Sequence, residues 1–125
     1  MNSDRFSPGS RLRSFKFALR GLLSLLKFEH NSRIHMITAA GVIALGFIFK
    51  LKPVEWCLIA LSIGIVFITE LINSSIEAVS DAVSPEWHEI IMKAKDYAAA
   101  GVLIAAIISI VIGAIIFIPR LLLLI

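Results

Sequence analysis

From Ser10 to about His30, apolar residues return at the three-, four- and one-residue steps of a helix face: Leu12, Phe15, Leu19, Leu22, Leu23 and Leu26. Arg13, Lys16, Arg20 and Lys27 form a separate basic ridge, within about 60° on a helical wheel. An amphipathic helix with one apolar and one cationic face fits the headgroup plane of a membrane. The same pattern also serves a helix packed on its own protein with a solvated basic face. Three long apolar stretches follow, at about 34–50, 54–72 and 97–118. The first is short for a ~30 Å hydrocarbon core and can borrow length by running back through His30 and Arg33. Lys50-Leu51-Lys52-Pro53 makes a tight turn, with Pro53 suited to the first turn of the next helix. Trp56 and Lys52 read as interface anchors. The helical pattern of the second stretch runs on through Glu77 and Asp81 to about residue 83, before Pro85. The third ends at Pro119-Arg120 and leaves a stub at 121–125. Residues 1–9 are polar, contain Pro8 and Gly9, and read as a flexible lead-in. No apolar core precedes residue 34, so cleavage as a secretory signal is not expected. The expected fold is all-α in a single membrane domain over 1–125: a surface helix at 10–30, then three transmembrane helices.

Composition agrees. Of 125 residues, 58% are hydrophobic and 17% charged, against about 45–50% and 25% in soluble domains. Mean hydropathy is +0.92. This length excludes a soluble kinase, protease or dehydrogenase on a large α/β scaffold, so any catalytic site must come from a few helices. Seven of the twelve Lys and Arg precede Ile34, directly before the chain turns apolar. That placement reads as contact with anionic lipid, and argues against a nucleic-acid partner. With three spans, the N-terminal segment and the 73–96 connection share a side that holds nine of the twelve cations. The positive-inside rule puts that side, and the N-terminus, in the cytoplasm. Cys57 is a lone thiol in an apolar run, without disulfide or metal spacing. Gly101, Ala105, Ser109 and Gly113 repeat every four residues, a ridge that lets helices approach closely within or between subunits.

Chemistry concentrates in one run. From Glu70, Asn73, Glu77 and Asp81 follow at steps that place all four within about 80° on a helical wheel, with Ser74 and Ser84 nearby. An ionisable residue in lipid costs roughly 2.5–3.5 kcal/mol at a helix centre. Glu70 follows directly on an apolar run, and neither packing nor solubility requires such a line. Asp81 fits a solvated helix end; Glu70 and Glu77 fit it poorly. Glu29 is the only acid between Asp4 and Glu55, and by the inferred topology shares the membrane level of Glu70 and Glu77. It can complete a carboxylate cage for a divalent ion or pair locally with Arg33 at i,i+4. Glu86, Trp87 and His88, then Lys93, Lys95 and Asp96, occupy the return between the second and third spans. The lysines there serve as topology anchors or as a phosphate clamp. The three histidines show no zinc spacing. No P-loop, dinucleotide fingerprint, nucleophile elbow or zincin motif occurs.

These residues resemble the prokaryotic diacylglycerol kinase family, small three-span membrane kinases that include undecaprenol kinases. Its hallmark, E-[LI]-[LI]-N-[ST]-[AS]-I-E-x-x-x-D, stands here from Glu70 to Asp81. Glu29 with Arg33 precedes it, Glu86-Trp87-His88 and Ala94-Lys95-Asp96 follow, and the resemblance covers about 11–118. It implies an ATP-dependent lipid kinase in a bacterial inner membrane, working as a homotrimer with sites between subunits. By position, it implies Glu70 as base, supported by Asn73, with Glu29 and Glu77 holding Mg²⁺. Lys95 and Asp96 would contact ATP, with Glu86 and His88 nearby. Phe17 stands at a nucleotide position where other members carry Tyr, so a hydroxyl contact is missing here. Arg33, Asp81 and Ser74 would support substrate or site. The run Glu29-His30-Asn31-Ser32-Arg33-Ile34-His35 resembles the form found in undecaprenol kinases more than the diacylglycerol-specific form.

Two other readings compete. A small cation channel or transporter subunit would use Glu70 and Glu77 as an ion site, but no comparable polar residues line the other half of the spans. A non-catalytic assembly partner would use the Gly101–Gly113 ridge, and leaves the acidic line unexplained.

Overall fold

A computed structural model describes residues 6–125, which form four helices: α1 (Pro8–Phe28), α2 (His30–Ile48), α3 (Pro53–Val83) and α4 (Glu89–Leu122). The last three are each long and apolar enough to cross a membrane. All-helical architecture with three such helices is what the hydropathy pattern implies. Boundaries differ in instructive ways.

The lead-in expected over 1–9 is helical at its end. Ser7 caps α1 by accepting the Ser10 N–H at 3.2 Å, and Pro8 takes the first helical turn. Both residue types suit those positions, since a serine oxygen satisfies a free N–H and proline has none to lose. Residues 1–5 lie outside the described part. The helix expected over 10–30 ends at Phe28 rather than His30, because Glu29 alone leaves the helical region (φ −98°, ψ 113°). Its N–H still bonds Leu25 O and its carbonyl already accepts the Arg33 N–H. One residue therefore turns the chain from α1 into α2.

The α2–α3 turn is a Schellman closure. The Leu51 N–H donates to Gly46 O at 3.1 Å and the Lys50 N–H to Phe47 O at 3.3 Å, with Lys50 left-handed at φ 53°. Pro53 then opens α3, and the Lys52 N–H donates to Glu55 Oε2 at 2.8 Å. At 1.5 Å per residue α3 is about 46 Å long, more than a ~30 Å hydrocarbon core, so its C-terminal part must project.

Near this turn sits the core, where Leu51, Ile59, Ile116 and Phe117 pack with Val42, Phe49, Trp56, Ile63 and Ile112. α3 packs along α4, while α2 and α1 lie against α3 more loosely. The small-residue ridge faces α3 within one chain: Ala105 is buried, and Ser109 Oγ donates to Ser62 O (3.1 Å) and Ala105 O (2.9 Å). At the ends of that ridge, Gly101 and Gly113 face open space. α4 passes through Pro119 instead of stopping there, and takes the first two residues of the expected stub, Leu121 and Leu122, into the helix. Proline has no N–H for the carbonyl one turn back. Directly after it Arg120 ties this end of α4 down, its Nη1 donating to Ile116 O at 2.7 Å and its Nη2 lying 2.8 Å from both oxygens of Glu55 on α3.

Candidate active site

The acidic line lies on the C-terminal half of α3, and its members differ sharply in surroundings. Glu70 is 4% exposed. Its Oε1 lies 3.2 Å from Nε2 of His35 on α2. That approach is close enough for an ion pair but is not aligned as a hydrogen bond, so Oε1 is left without a donor. One turn on, Asn73 Oδ1 is buried and equally unpartnered. Ser74 and Glu77 are half-buried, and Asp81 is exposed. Lys95, which precedes the apolar part of α4, donates from Nζ to Asp81 Oδ1 at 2.9 Å. That bond, with further attraction from Asp81 and Glu77, pushes the Lys95 ammonium above its ordinary value. An ammonium has three donors, so the Asp81 contact leaves two free for another acceptor.

Glu29 is half-buried at the α1–α2 joint. The local pair with Arg33 does not form. Among the described residues the ion pairs are Lys95–Asp81 and Arg120–Glu55, with the His35–Glu70 contact beside them. Glu86, His88 and Asp96 are exposed. His88 caps α4, its Nδ1 accepting the Ile90 N–H at 3.2 Å, and the Ser84 hydroxyl donates to Glu86 O at 3.0 Å. Phe17 lies on α1, 60% exposed, with the Arg20 guanidinium 5.5 Å from its ring centre.

A cleft of about 310 Å³ runs between α2, α3 and α4, lined by Ile34, His35, Thr38, Ser62, Phe67 and Ser109 among others. Its wall is almost wholly apolar apart from His35 and three hydroxyls. Thr38 and Ser109 satisfy theirs on backbone carbonyls. His35 is thus both a wall of the cleft and the neighbour of Glu70. The arrangement offers a buried carboxylate that meets one wall residue of an apolar cleft, and a cation on the next helix.

Among the described residues no three His, Cys, Asp or Glu side chains gather into a metal cluster. Glu29 and Glu77 remain hard oxygen donors on mutually packed elements. This suits an ion such as Mg²⁺, which takes one or two carboxylates and completes its shell with phosphates and water.

His35 and the Arg120–Glu55 pair were not anticipated from the sequence. Signals for them existed. His35 is the only titratable residue of α2 after Arg33. Glu55 is the only acid, and Arg120 the only cation after the third span, on their side of the inferred topology.

The sequence profile of the prokaryotic diacylglycerol kinase family matches residues 16–117. This chain belongs to that family. The match contains Glu29, the hallmark from Glu70 to Asp81, and Lys95-Asp96. The chain is 38% identical over 109 residues to an undecaprenol kinase of Bacillus subtilis, covering 87% of this chain and 89% of that one. It is 37% identical over 107 residues to a diacylglycerol kinase of Haemophilus influenzae, covering 85% and 91%. A diacylglycerol kinase of Synechocystis is 36% identical over 110 residues, which span 87% of this chain and 63% of that longer relative. The family is one of lipid kinases, and the chain is accordingly a phosphotransferase with an alcohol group as acceptor, built as a multi-pass membrane protein.

Proposed function

We propose that this protein transfers the γ-phosphoryl group of ATP to the hydroxyl of a membrane lipid alcohol at the cytoplasmic face of a bacterial inner membrane. The observation that carries the reading is Glu70: a buried carboxylate with an oxygen open to a donor, beside an apolar cleft. Glu70 follows Pro53 by 17 residues, about 26 Å along α3, which sets it near the far edge of a ~30 Å core. A lipid alcohol presents its hydroxyl at that depth, with its tail in the apolar layer.

In the reaction the lipid oxygen bonds to the γ-phosphorus while the β–γ bridging P–O bond breaks and ADP departs. Glu70 receives the hydroxyl proton, a role open to a carboxylate within hydrogen-bond reach. Asn73, unsatisfied on the same face, orients the headgroup. Lys95 presents its free donors to phosphate oxygens, with Asp81 holding it from behind, and Asp96, Glu86, His88 and Phe17 lie toward the nucleotide. Glu29 and Glu77 would hold Mg²⁺, which when bound neutralises charge on the transferring phosphates. Ser74 and Arg33 support the site from α3 and α2.

Undecaprenol is the favoured acceptor. The run from Glu29 to His35 and the B. subtilis relative support it, with diacylglycerol second. A homotrimer with sites between copies accounts for how so small a chain completes a kinase site. The test is phosphorylation of undecaprenol and diacylglycerol, side by side, by purified protein in mixed micelles with ATP and Mg²⁺. Glu70→Gln should keep the helical content and assembly and lose turnover by about a hundredfold or more. Failure of the wild type on both lipids and on a short-chain analogue sinks the reading.

A further inference from the structure

His35 lies outside the residues to which the family hallmark assigns a role, yet it both lines the cleft and makes the polar approach to the Glu70 carboxylate. Its ring lines the cleft beside Ile34 and Thr38. Its Nε2 approaches Glu70 Oε1 at 3.2 Å, and the two side chains are 27% and 5% exposed. Among the described residues, this contact is the one polar interaction of the Glu70 side chain. Buried polar atoms need a hydrogen-bond partner, so a donor for Oε1 must come from His35 or from an incoming ligand. The contact is near but unaligned, which is the usual state of catalytic contacts before substrate arrives.

We propose that His35 is a positioning residue for the phosphoryl-transfer reaction. Its Nε2–H donates to Glu70 and aims the other lone pairs of that carboxylate at the head of the cleft, where the lipid hydroxyl enters. The placement is selective. His35 stands one turn beyond Asn31 on α2, close to the Glu29 joint, so a shift of α2 against α3 moves the cleft wall and the contact to Glu70 together. Thr38, the next polar residue on α2, cannot substitute, because its hydroxyl donates to Ile34 O at 2.9 Å. This inference rests on the lipid-kinase reading for its kinetic arm, and one arm is independent of turnover.

Three variants separate donor from bulk. His35→Gln keeps an N–H donor at about the reach of Nε2, and His35→Leu keeps volume without a donor. His35→Met carries the same expectation as leucine should that variant fail to assemble. In mixed micelles, with helicity and oligomeric state checked, His35→Leu should lose about ten- to a hundredfold in kcat while KM for ATP stays within about twofold. His35→Gln should recover most of that loss. Leucine and methionine variants with near-wild-type kcat overturn the proposal. So does a glutamine variant as slow as leucine, which would make the ring a packing element.

The turnover-independent arm is the infrared carboxylate band that disappears in Glu70→Gln. It should shift in His35→Leu and stay in place in His35→Gln. An unshifted band in both overturns the proposal even if the protein proves inactive on both lipids. A shifted band in an inactive wild type keeps the His35–Glu70 coupling and rejects the lipid-kinase reading instead.

Discussion

Replacing Gly46 by alanine tests how the bundle is closed at the end remote from Glu70. A Cβ added at Gly46 falls 2.6 Å from Trp56 Cη2, 3.0 Å from Cζ2 and 3.1 Å from Leu51 Cδ1. Carbon atoms rest at about 3.5–4.0 Å, so the indole must retreat by about 1 Å. It has little freedom to do so. Its ring packs on Phe47 with centroids 4.8 Å apart, and Trp56 flanks the core formed by Leu51, Ile59, Ile116 and Phe117. Overpacking of this kind costs about 1–3 kcal/mol, against a helix-propensity gain of up to about 1 kcal/mol for Gly→Ala. The expected net loss is about 1–2 kcal/mol. Gly41 is the internal control: it lies in the same helix, and a Cβ added there meets nothing within 4 Å.

The assay is equilibrium unfolding in mixed micelles of rising denaturing-detergent fraction, followed by circular dichroism. Gly46→Ala should unfold earlier than wild type and Gly41→Ala should not. Trp56→Leu should relieve most of the loss in the double variant. Turnover per folded molecule should be unchanged, because Gly46 lies about 16 Å along α2 from His35. Equal stability of the two alanine variants would refute the packing argument.

Other outcomes follow from single contacts. Lys50→Gly should stabilise the protein by about 1 kcal/mol in the same assay, because a side chain at φ 53° is strained and glycine is not. Arg120→Met should lower stability by removing the guanidinium from Glu55 and Ile116 O, and adding Glu55→Gln should cost less than the sum of the two single changes. Lys95→Met should raise KM for ATP about tenfold, with a smaller rise for Asp81→Asn, which removes only the support. Kinetics at saturating lipid check both.

The hydropathy pattern made the helices legible, because lipid-facing helices must be apolar over a set length whatever they pack against. It did not reveal that one residue, Glu29, separates α1 from α2. Nothing in glutamate's propensity forbids a continuous helix, so the break reflects how α1 folds back onto α2 and α3. It also missed α4 running past Pro119. Proline signals an ending, and what holds the helix together beyond it is a contact with another helix, from Arg120 to Glu55, that no local pattern shows. The acidic line was visible as spacing on one wheel face. Its gradation from a buried Glu70 to an exposed Asp81 was not, because that depends on how far α3 outruns its neighbours. His35 was hidden for a similar reason: a single histidine in an apolar helix gains meaning only from the helix opposite.

The two ends of the bundle treat their polar groups in opposite ways. Near the α2–α3 turn, Arg120 and Glu55 satisfy one another, a backbone carbonyl and a helix-start N–H. At the other end, Ser32 Oγ, Glu70 Oε1 and Asn73 Oδ1 are buried without hydrogen-bond donors or acceptors. Each such atom costs about 1–3 kcal/mol, and an end optimised for stability alone would not keep three. Asn73 is on this ground a residue retained against stability. Asn73→Leu, of similar shape, removes the unsatisfied oxygen and should unfold at a higher denaturing-detergent fraction than wild type. Its turnover should fall, because the headgroup loses a partner. Adding lipid and nucleotide should then narrow the stability gap, since ligand stabilises only the form that binds it. A less stable Asn73→Leu would show that Asn73 is already satisfied in the membrane-embedded assembly, and would remove it from the group of atoms awaiting substrate.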